Sequence, residues 1–291
     1  MNKILVTGAT GGLGRAIVEN LLKTTSPNQL AVLVRDPAKA ADLQAQGVAV
    51  QQGDYTDYDS LVRAFSGVDK VLLVSGNDIP NRVPQHTNVI NAAKEAGVKH
   101  LVYTSAQRKT EDGSSAVTFV TAAHVATEKL LKASGLTYTI LKNALYLEVL
   151  PQFMGPQVLE TGTIYLPAGT GKGSFASRAD MGAAAAAVLT GPGHENQTYE
   201  IAGAASYSFT DVAQVLSELS GKQVQYVSPA PDEFNAQLTQ AGVPAQGVQF
   251  ATAFSQGIAQ GEFDLPSPTL TELIGREPES LTNFLKAAYQ L

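Results

Sequence analysis

Residues 6–22, VTGATGGLGRAIVENLL, carry the strongest indication of the fold. It ends an apolar run, continues through three regularly spaced glycines and then takes on a helical apolar pattern; the glycines are Gly8, Gly11 and Gly14. Residues without a Cβ let backbone N–H groups approach a pyrophosphate, and the positive end of the following helix favours the anion. A strand, a glycine loop and a helix predict a dinucleotide-binding unit, with a plain tight turn as the alternative.

Beyond this stretch, short apolar runs alternate with helical patterns along the first half of the chain. This alternation is typical of βαβ units and a parallel sheet. The strand candidates are residues 3–7, 30–34, 48–52, 70–75, 100–105 and 137–142. We therefore predict an α/β fold with a Rossmann-type doubly wound parallel sheet, whose ligand crevice lies at the carboxyl ends of the strands.

After about residue 144 the pattern is less regular. We predict strands at 163–167, 198–202 and 223–227 and helices at about 179–189 and 206–222. These elements suggest two domains, a dinucleotide-binding Rossmann domain at 1–150 and a smaller mixed α/β substrate-binding region at 151–291. The strand near 198–202 is expected to return to the first sheet, so the two parts would interleave.

Composition narrows the class of protein. Apolar residues make up 44% of the 291 residues and charged residues 16%, which suits a large buried sheet better than a disordered chain. The net charge of −6 comes without a run of Lys and Arg, which argues against nucleic-acid binding. The alanine-rich stretch 181–189 is too short to cross a membrane, and strand-like sequence begins at Lys3, leaving no room for a signal peptide. We expect a cytoplasmic protein with no metal cofactor.

Arg35 bears on the choice of cofactor. It follows the second predicted strand, where an NAD-selective protein would usually place a carboxylate on the ribose 2′-hydroxyl. A guanidinium there can form charge-assisted bonds to a 2′-phosphate. NADP(H) is therefore predicted in preference to NAD(H), although Asp36 follows directly and a solvated surface arginine is the alternative.

The glycine spacing in TGATGGLG resembles that of the extended and atypical short-chain dehydrogenase/reductases. Further segments resemble the NmrA-like proteins, and among them the type 2 NAD(P)H:quinone oxidoreductases and the triphenylmethane reductases; these segments are residues 97–106, 124–146, 193–203, 216–226 and 273–281. The resemblance covers nearly the whole chain, but only the glycine loop is a sharp motif.

The resemblance and the strand ends together imply a set of cofactor contacts. These are Thr7, Gly8, Thr10, Gly11, Gly12, Leu13, Gly14, Arg35, Asp54, Tyr55, Ser75, Gly76, Ser105, Lys142, Asn143 and Ala144. In the relatives, the residues after the sixth strand border the nicotinamide, and Asp54 and Tyr55 are expected to border the adenine. Asp54 could instead be only a turn or cap residue, and Lys142 stands where an arginine is common.

The helix after the fifth predicted strand departs from the reductase pattern. Superfamily members that reduce carbonyls use a serine with a Tyr-x-x-x-Lys pair, and here Ser105 is followed by HVATEK, with His124 and Glu128 at roughly the places of the pair. Ketone reduction creates a strongly basic alkoxide that needs a positioned acid. Hydride addition to a quinone gives a phenolate whose conjugate acid has a pKa of about 10, which water can protonate. A quinone or similar electrophile is therefore the predicted acceptor.

His124 and Tyr146 are the catalytic candidates. A helical projection of 121–134 places His124 on the flank of the apolar face, so we expect it to point along the crevice, with Glu128 fixing its tautomer or raising its proton affinity. The alternative is a pair that only stabilises the helix. Tyr146 begins a segment through Phe153 that could line one wall of the substrate site, or could be purely structural.

Two functions fit these features. The first is an NADPH-dependent reductase that transfers hydride to a quinone or similarly electrophilic conjugated small molecule. The alternative is an NmrA-like sensor that binds NADP(H) and regulates a protein partner without turnover, since the missing Tyr-Lys pair suits that role too. The sequence is silent about oligomeric state, and a homodimer is one arrangement open to it.

Overall fold

The computed structural model describes residues 3–155 and 157–291; residues 1, 2 and 156, which fall inside the two predicted domains, lie outside the described residues. The strands are β1 (Ile4–Thr7), β2 (Leu30–Val34), β3 (Ala49–Gln52), β4 (Lys70–Leu73), β5 (His100–Ala106), β6 (Thr137–Asn143), β7 (Leu145–Tyr146), β8 (Thr163–Tyr165), β9 (Lys172–Ala176), β10 (Gln197–Ile201), β11 (Ser206–Ser208) and β12 (Gln225–Val227). The helices are α1 (Gly12–Leu21), α2 (Ala41–Ala45), α3 (Tyr58–Phe65), α4 (Arg82–Glu95), α5 (Thr118–Ala133), α6 (Leu150–Met154), α7 (Val158–Thr161), α8 (Arg178–Thr190), α9 (Phe209–Ser220), α10 (Pro231–Gln240), α11 (Ala245–Ala259), α12 (Thr269–Ile274) and α13 (Leu281–Tyr289).

The main sheet has seven parallel strands in the order β10-β6-β5-β4-β1-β2-β3. The chain adds β2 and β3 on one side of β1 and then returns to add β4, β5 and β6 on the other. The strand order reverses between β1 and β4, and in such sheets a ligand crevice opens at that point. The predicted Rossmann-type doubly wound sheet is confirmed.

Both faces of this sheet are covered, and β1 shows why. Successive residues of a strand point to opposite faces, so Ile4 and Val6 enter the core that includes α1 and α8, whereas Leu5 enters the core that includes α3, α4 and α5. All of β1 is buried, as expected for a strand between two helical layers.

The second half of the chain contributes to the first sheet as well as forming its own core. β10 pairs in parallel with β6, and α8 packs against α1 so closely that a Cβ on Gly182 would lie 2.8 Å from the carbonyl carbon of Ala16. The rest forms a separate apolar core beside a three-stranded sheet, β11-β9-β7, and a two-stranded sheet, β12-β8. A division at residue 150 stays a prediction, and the segment 178–201 packs with the first part.

The predicted helix at 206–222 is wrong at its start. Residues Ser206–Ser208 form β11 and pair with β9, and the helix begins only at Phe209. Ser208 and Asp211 form a reciprocal capping box, which fixes the helix start at that point.

Within residues 3–155 and 157–291, no helix is long and apolar enough to span a bilayer. No cluster of His, Cys, Asp or Glu in the same residues could hold a metal ion.

Candidate functional site

A cavity of about 680 Å³ lies at the carboxyl ends of β1 to β4, at the reversal of strand order. The predicted site residues that line it are Gly8, Thr10, Gly11, Gly12, Leu13, Gly14, Arg35, Asp54, Tyr55, Ser75, Gly76 and Tyr146. Lining residues that the sequence reasoning missed are Leu33, Val34, Gly53, Thr56, Val74, Asn77, Asp78, Gln85 and Arg178. Gly53, Thr56, Asn77 and Asp78 follow predicted strand ends, whereas Leu33, Val34 and Val74 are among the last residues of the predicted strands themselves. A wider window on both sides of each strand end would have included all seven.

The glycine loop forms the cavity wall at the end of β1. Gly8 has a φ of +61°, which favours glycine, and a Cβ on Gly14 would lie 2.2 Å from the carbonyl oxygen of Gly8. The N-cap residue Gly11 offers no side chain to the first turn of α1. The N–H groups of that turn are therefore open to an anionic ligand.

Tyr55 ties the ends of β1 and β4 together beneath the cavity. Its hydroxyl donates to the carbonyl of Val74 at 2.8 Å and accepts from Thr7, whose oxygen accepts the Val74 N–H at 3.0 Å. Burial raises the pKa of Tyr55, so the phenol stays protonated. Thr7 is itself fully buried and supports the wall from behind.

Arg35 and Asp54 lie at the far end of the cavity, and they differ in whether their charged groups have protein partners. The Asp54 carboxylate accepts from the Thr56 hydroxyl at 2.7 Å and its N–H at 2.8 Å, and these bonds lower the pKa of Asp54. The Arg35 side chain is exposed, and within the described residues its guanidinium has no hydrogen bond or salt bridge. Asp54 is thus committed to its own turn, whereas Arg35 is available to a ligand.

His124 lies outside the cavity, and the expectation that it points along the crevice beside Glu128 is wrong. It is only 4% exposed; Arg82 donates to its Nε2 at 3.1 Å, and its Nδ1 is 2.7 Å from the Tyr103 hydroxyl. A guanidinium can only donate, so Nε2 is unprotonated and the single proton sits on Nδ1, directed at Tyr103. Burial, with Arg82 nearby, lowers the pKa of His124 well below its usual value.

Arg82 and His86 hold the backbone of Gly76, which lines the cavity. Arg82 Nε donates to the Gly76 carbonyl at 2.7 Å, and the Gly76 N–H donates to His86 Nε2 at 3.0 Å. His86 Nδ1 then donates to Thr127 at 3.0 Å. Burial lowers the pKa of His86 to about 3, so the ring stays neutral and can accept the Gly76 N–H.

Glu128 is paired with an arginine that the sequence reasoning did not single out. Arg108 forms two parallel bonds to its carboxylate, each 2.8 Å long, and Ser105 donates to the same group. Burial acts to raise the pKa of Glu128, but the bonds from Arg108 and Ser105 lower it overall. Ser105 is therefore bound to a buried ion pair and does not line the cavity.

The residues that end β6 also lie outside the cavity lining. Lys142 Nζ is 3.6 Å from a Glu111 carboxylate oxygen and 3.5 Å from one of Glu200. Ala144 is buried, and Asn143 Oδ1 is buried without a hydrogen-bond partner among the described residues. Of the residues predicted at this strand end, only Tyr146 reaches the cavity.

Arg178 closes the cavity on the side of α8. Its guanidinium carbon lies 4.1 Å from the centre of the Tyr146 ring, and its Nη1 is 3.5 Å from Glu148 Oε2. No motif marks this arginine, because it comes from the second half of the chain and reaches the glycine loop only through the packing of α8 on α1.

Comparison with known proteins places these features in context. A family model described as the NmrA-like family matches residues 1–281. Quinone oxidoreductase 2 of Escherichia coli (strain K12) is 41% identical over 280 residues, which are 96% of this chain and 96% of that protein.

Two crystal structures superpose on nearly the whole chain. One is an NADPH-dependent quinone oxidoreductase from Escherichia coli complexed with NADPH, with a TM-score of 0.92 and 40% identity, covering 98% of this chain and 99% of that one. The other is a triphenylmethane reductase from Citrobacter sp. complexed with NADP(H), with a TM-score of 0.91 and 36% identity, covering 98% of this chain and 99% of that one.

Proposed function

The chain belongs to the NmrA-like family, and from this premise we propose that it is an NADPH-dependent oxidoreductase that transfers hydride to a quinone or a similarly electrophilic conjugated acceptor. The observation that carries the proposal is one cavity that extends from the glycine loop to Arg35 at one end and Tyr146 at another. The similar quinone oxidoreductase was crystallised with NADPH, and the similar triphenylmethane reductase with NADP(H).

The residues present fit NADPH. The close approach of Gly14 to Gly8 leaves no room for a side chain in the loop, and the open N–H groups of α1 suit a diphosphate. The unpaired guanidinium of Arg35 suits the 2′-phosphate that distinguishes NADPH from NADH. When bound, NADPH supplies the hydride.

Tyr146 is the side chain that we assign to the acceptor. It lines the cavity, and burial raises its pKa, so its hydroxyl remains a hydrogen-bond donor at neutral pH. A donor directed at a quinone oxygen stabilises the charge that develops there during hydride addition. Since the resulting phenolate has a conjugate acid with a pKa of about 10, water can complete the protonation.

His124 has a different part in this proposal. Because its one proton is directed at Tyr103 and its other nitrogen is held by Arg82, it does not donate a proton into the cavity. It is instead a positioning residue that keeps Arg82 on the Gly76 carbonyl. The cavity wall after β4 thereby keeps its shape.

The test is to mix the purified protein with NADPH and a panel of quinones and cationic dyes and to follow loss of nicotinamide absorbance. We expect turnover with at least one acceptor. No turnover with any acceptor, despite tight NADPH binding, would refute the reductase proposal and favour the sensor that regulates a protein partner.

Tyr146→Phe tests the role of the hydroxyl. One lost hydrogen bond to the developing charge should lower kcat about 2- to 10-fold with little change in NADPH affinity. Tyr138→Phe is the matched control, because Tyr138 lies near the amino end of β6, away from the cavity. Equal kcat values for the two variants would remove Tyr146 from the mechanism.

A cytoplasmic location and a homodimer stay predictions. Light scattering on the purified protein measures its mass in solution directly, and a monomer would end the second prediction.

A further inference from the structure

Arg178 lies against the glycine loop, although it comes from the other half of the chain. A Cβ on Gly12 would lie 3.1 Å from the Arg178 Cδ and 3.4 Å from its Nε. The guanidinium rests on the Tyr146 ring at 4.1 Å, and the Arg178 N–H donates to Glu148 at 2.9 Å. The absence of a side chain at Gly12 is therefore what lets a cation come so close to the first turn of α1.

The placement of cations along the cavity is uneven. Among the lining residues, only Arg35 and Arg178 carry a positive side chain, and they lie at different ends of the cavity. Arg35 follows β2, whereas Arg178 lies between the glycine loop and Tyr146. A phosphorylated dinucleotide likewise carries two separate anionic groups, a 2′-phosphate on the adenosine and a diphosphate bridge.

We propose that Arg178 binds the diphosphate bridge of the dinucleotide beside the α1 N–H groups. The inference rests on the proposed cofactor and goes beyond the glycine loop, since it assigns a cation from α8 to the same anion. A guanidinium can form two parallel, charge-assisted hydrogen bonds to phosphate oxygens. The neutral N–H groups of one helix turn cannot supply such bonds. Arg178 thus contributes to affinity for dinucleotides of either kind, and Arg35 to the choice between them.

The surroundings of Arg178 restrict its motion. Ser177 caps α8 by accepting the Asp180 N–H, and Asp180 is in turn held by Arg276 and by the Glu279 N–H at 2.7 Å. These bonds fix the start of the helix, and the Tyr146 ring supports the guanidinium through a cation–π contact. A cation fixed in advance loses little conformational freedom when a ligand binds.

The alternative is that Arg178 only packs on Tyr146 and neutralises Glu148. Binding of ADP-ribose separates the two roles, because this ligand has the diphosphate but neither a nicotinamide nor a 2′-phosphate. We expect Arg178→Ala to lower the affinity for ADP-ribose, NADH and NADPH alike by about 10- to 100-fold, because each ligand loses charge-assisted hydrogen bonds to its diphosphate. Arg178→Lys should lose less, since it keeps the charge without the planar fork.

Arg35→Ala is the matched control. This variant should lower the affinity for NADPH by about 10- to 100-fold and leave the affinities for ADP-ribose and NADH unchanged. Calorimetric titration of wild type and the three variants gives the affinities, and adenosine 2′-monophosphate checks that the Arg178 variants keep an intact adenosine site.

The result that overturns the inference is unchanged ADP-ribose affinity in Arg178→Ala, or a loss confined to ligands that carry nicotinamide. These binding measurements use no electron acceptor. If the protein binds dinucleotides but does not reduce quinones, the reductase proposal is refuted, and the measurements still test the role of Arg178. A wild-type protein that binds neither NADPH nor NADH would refute the cofactor assignment itself.

Discussion

The cavity and the polar layer behind it lie at the same ends of the strands but treat their polar groups in opposite ways. We use "polar layer" for the buried side chains on β5, α4 and α5 and in the loop after β5, namely Arg82, His86, Tyr103, Ser105, Arg108, His124, Thr127 and Glu128. In the cavity, the N–H groups of the first turn of α1 and the Arg35 guanidinium have no partner in the part of the chain that the structure describes. In the polar layer nearly every donor and acceptor is paired, with Arg108 Nε the exception.

A position just after a strand is therefore not enough to make a residue a ligand contact. Ser75 and Ser105 both follow the pattern of strand ends, yet Ser75 lines the cavity and Ser105 donates to a buried carboxylate. A group left without a protein partner is available to bind a ligand, whereas a polar group fully paired in the interior gains little from a new partner.

Gly14→Ala should have the largest effect, because it places an atom where the cavity wall has no space. Its Cβ would lie 2.2 Å from the Gly8 oxygen and 2.6 Å from the Gly8 carbon, both backbone atoms that cannot move aside cheaply. We expect the free energy of unfolding to fall by about 4 kcal/mol or more and NADPH binding to be lost. Denaturant unfolding without ligand measures the first, and titration the second.

Gly11→Ala is the control for this change. A Cβ there would meet the Gly8 oxygen at 3.4 Å, an ordinary contact, so the stability of the protein should change by under about 1 kcal/mol. Similar losses for the two variants would mean that the loop is more adaptable than its geometry indicates.

Glu128→Ala should have the next largest effect, this time in the polar layer. The Arg108 side chain is fully buried, and removing Glu128 leaves it, among the described residues, only the half-exposed carboxylate of Glu111, 2.6 Å away, as an acidic partner. Breaking such a pair typically costs about 3–5 kcal/mol, measured here by denaturant unfolding. Glu19→Ala breaks the exposed pair with Arg15 on α1 and should cost under about 1 kcal/mol. A loss at Glu128 as small as that at Glu19 would show that the polar layer tolerates an open charge.

The sequence predicted the cavity better than the polar layer, for physical reasons. The glycine loop and Arg35 are local features, since a turn without Cβ atoms and a residue at a strand end depend on few other residues. The pairing of Glu128 with Arg108 depends on how α5 packs beside the loop after β5, and Arg178 reaches the cavity only through helix packing. Spacing within one helix suggested a His124–Glu128 pair. In the structure both residues are buried, and each is instead bonded to an arginine, His124 to Arg82 and Glu128 to Arg108.

The polar layer should also make stability depend on pH below neutrality. The pKa of His86 is about 3 in the folded protein because of burial, and about 6.5 for an unperturbed histidine, so between these values the unfolded chain binds the extra proton. Stability from this residue is therefore present above about pH 6.5 and falls as the pH falls, by roughly 2 kcal/mol at pH 5. His124, whose pKa is also lowered by burial, adds to the loss in the same direction.

Urea unfolding of wild type and His86→Gln at pH 7, 6 and 5 measures this dependence. The slope against pH should be smaller in the variant, whatever its stability at pH 7. His194→Gln is the control, because His194 is half-buried before β10 and lies outside the polar layer. Equal slopes in wild type and His86→Gln would mean that the folded protein accommodates a protonated His86.

The smallest expected effect is that of pH on hydride transfer, and it separates the two regions most sharply. If His124 gave a proton to the acceptor, kcat/KM would fall as that group lost its proton. Its Nε2 is held by Arg82 and its pKa is lowered well below the usual value, so no such limb is expected near pH 6.5. With a quinone that does not ionise, kcat/KM should vary by less than about twofold between pH 6 and 8, because a bell-shaped profile needs a group that titrates in that range. The contrary result is a fall in kcat/KM within this pH range that disappears in His124→Asn, and it would show that His124 takes part in proton transfer. Asparagine is chosen because its amide N–H can still reach toward Tyr103. A flat profile in both proteins, with a lower kcat in the variant, is what a residue that only holds Arg82 and Gly76 in place should give.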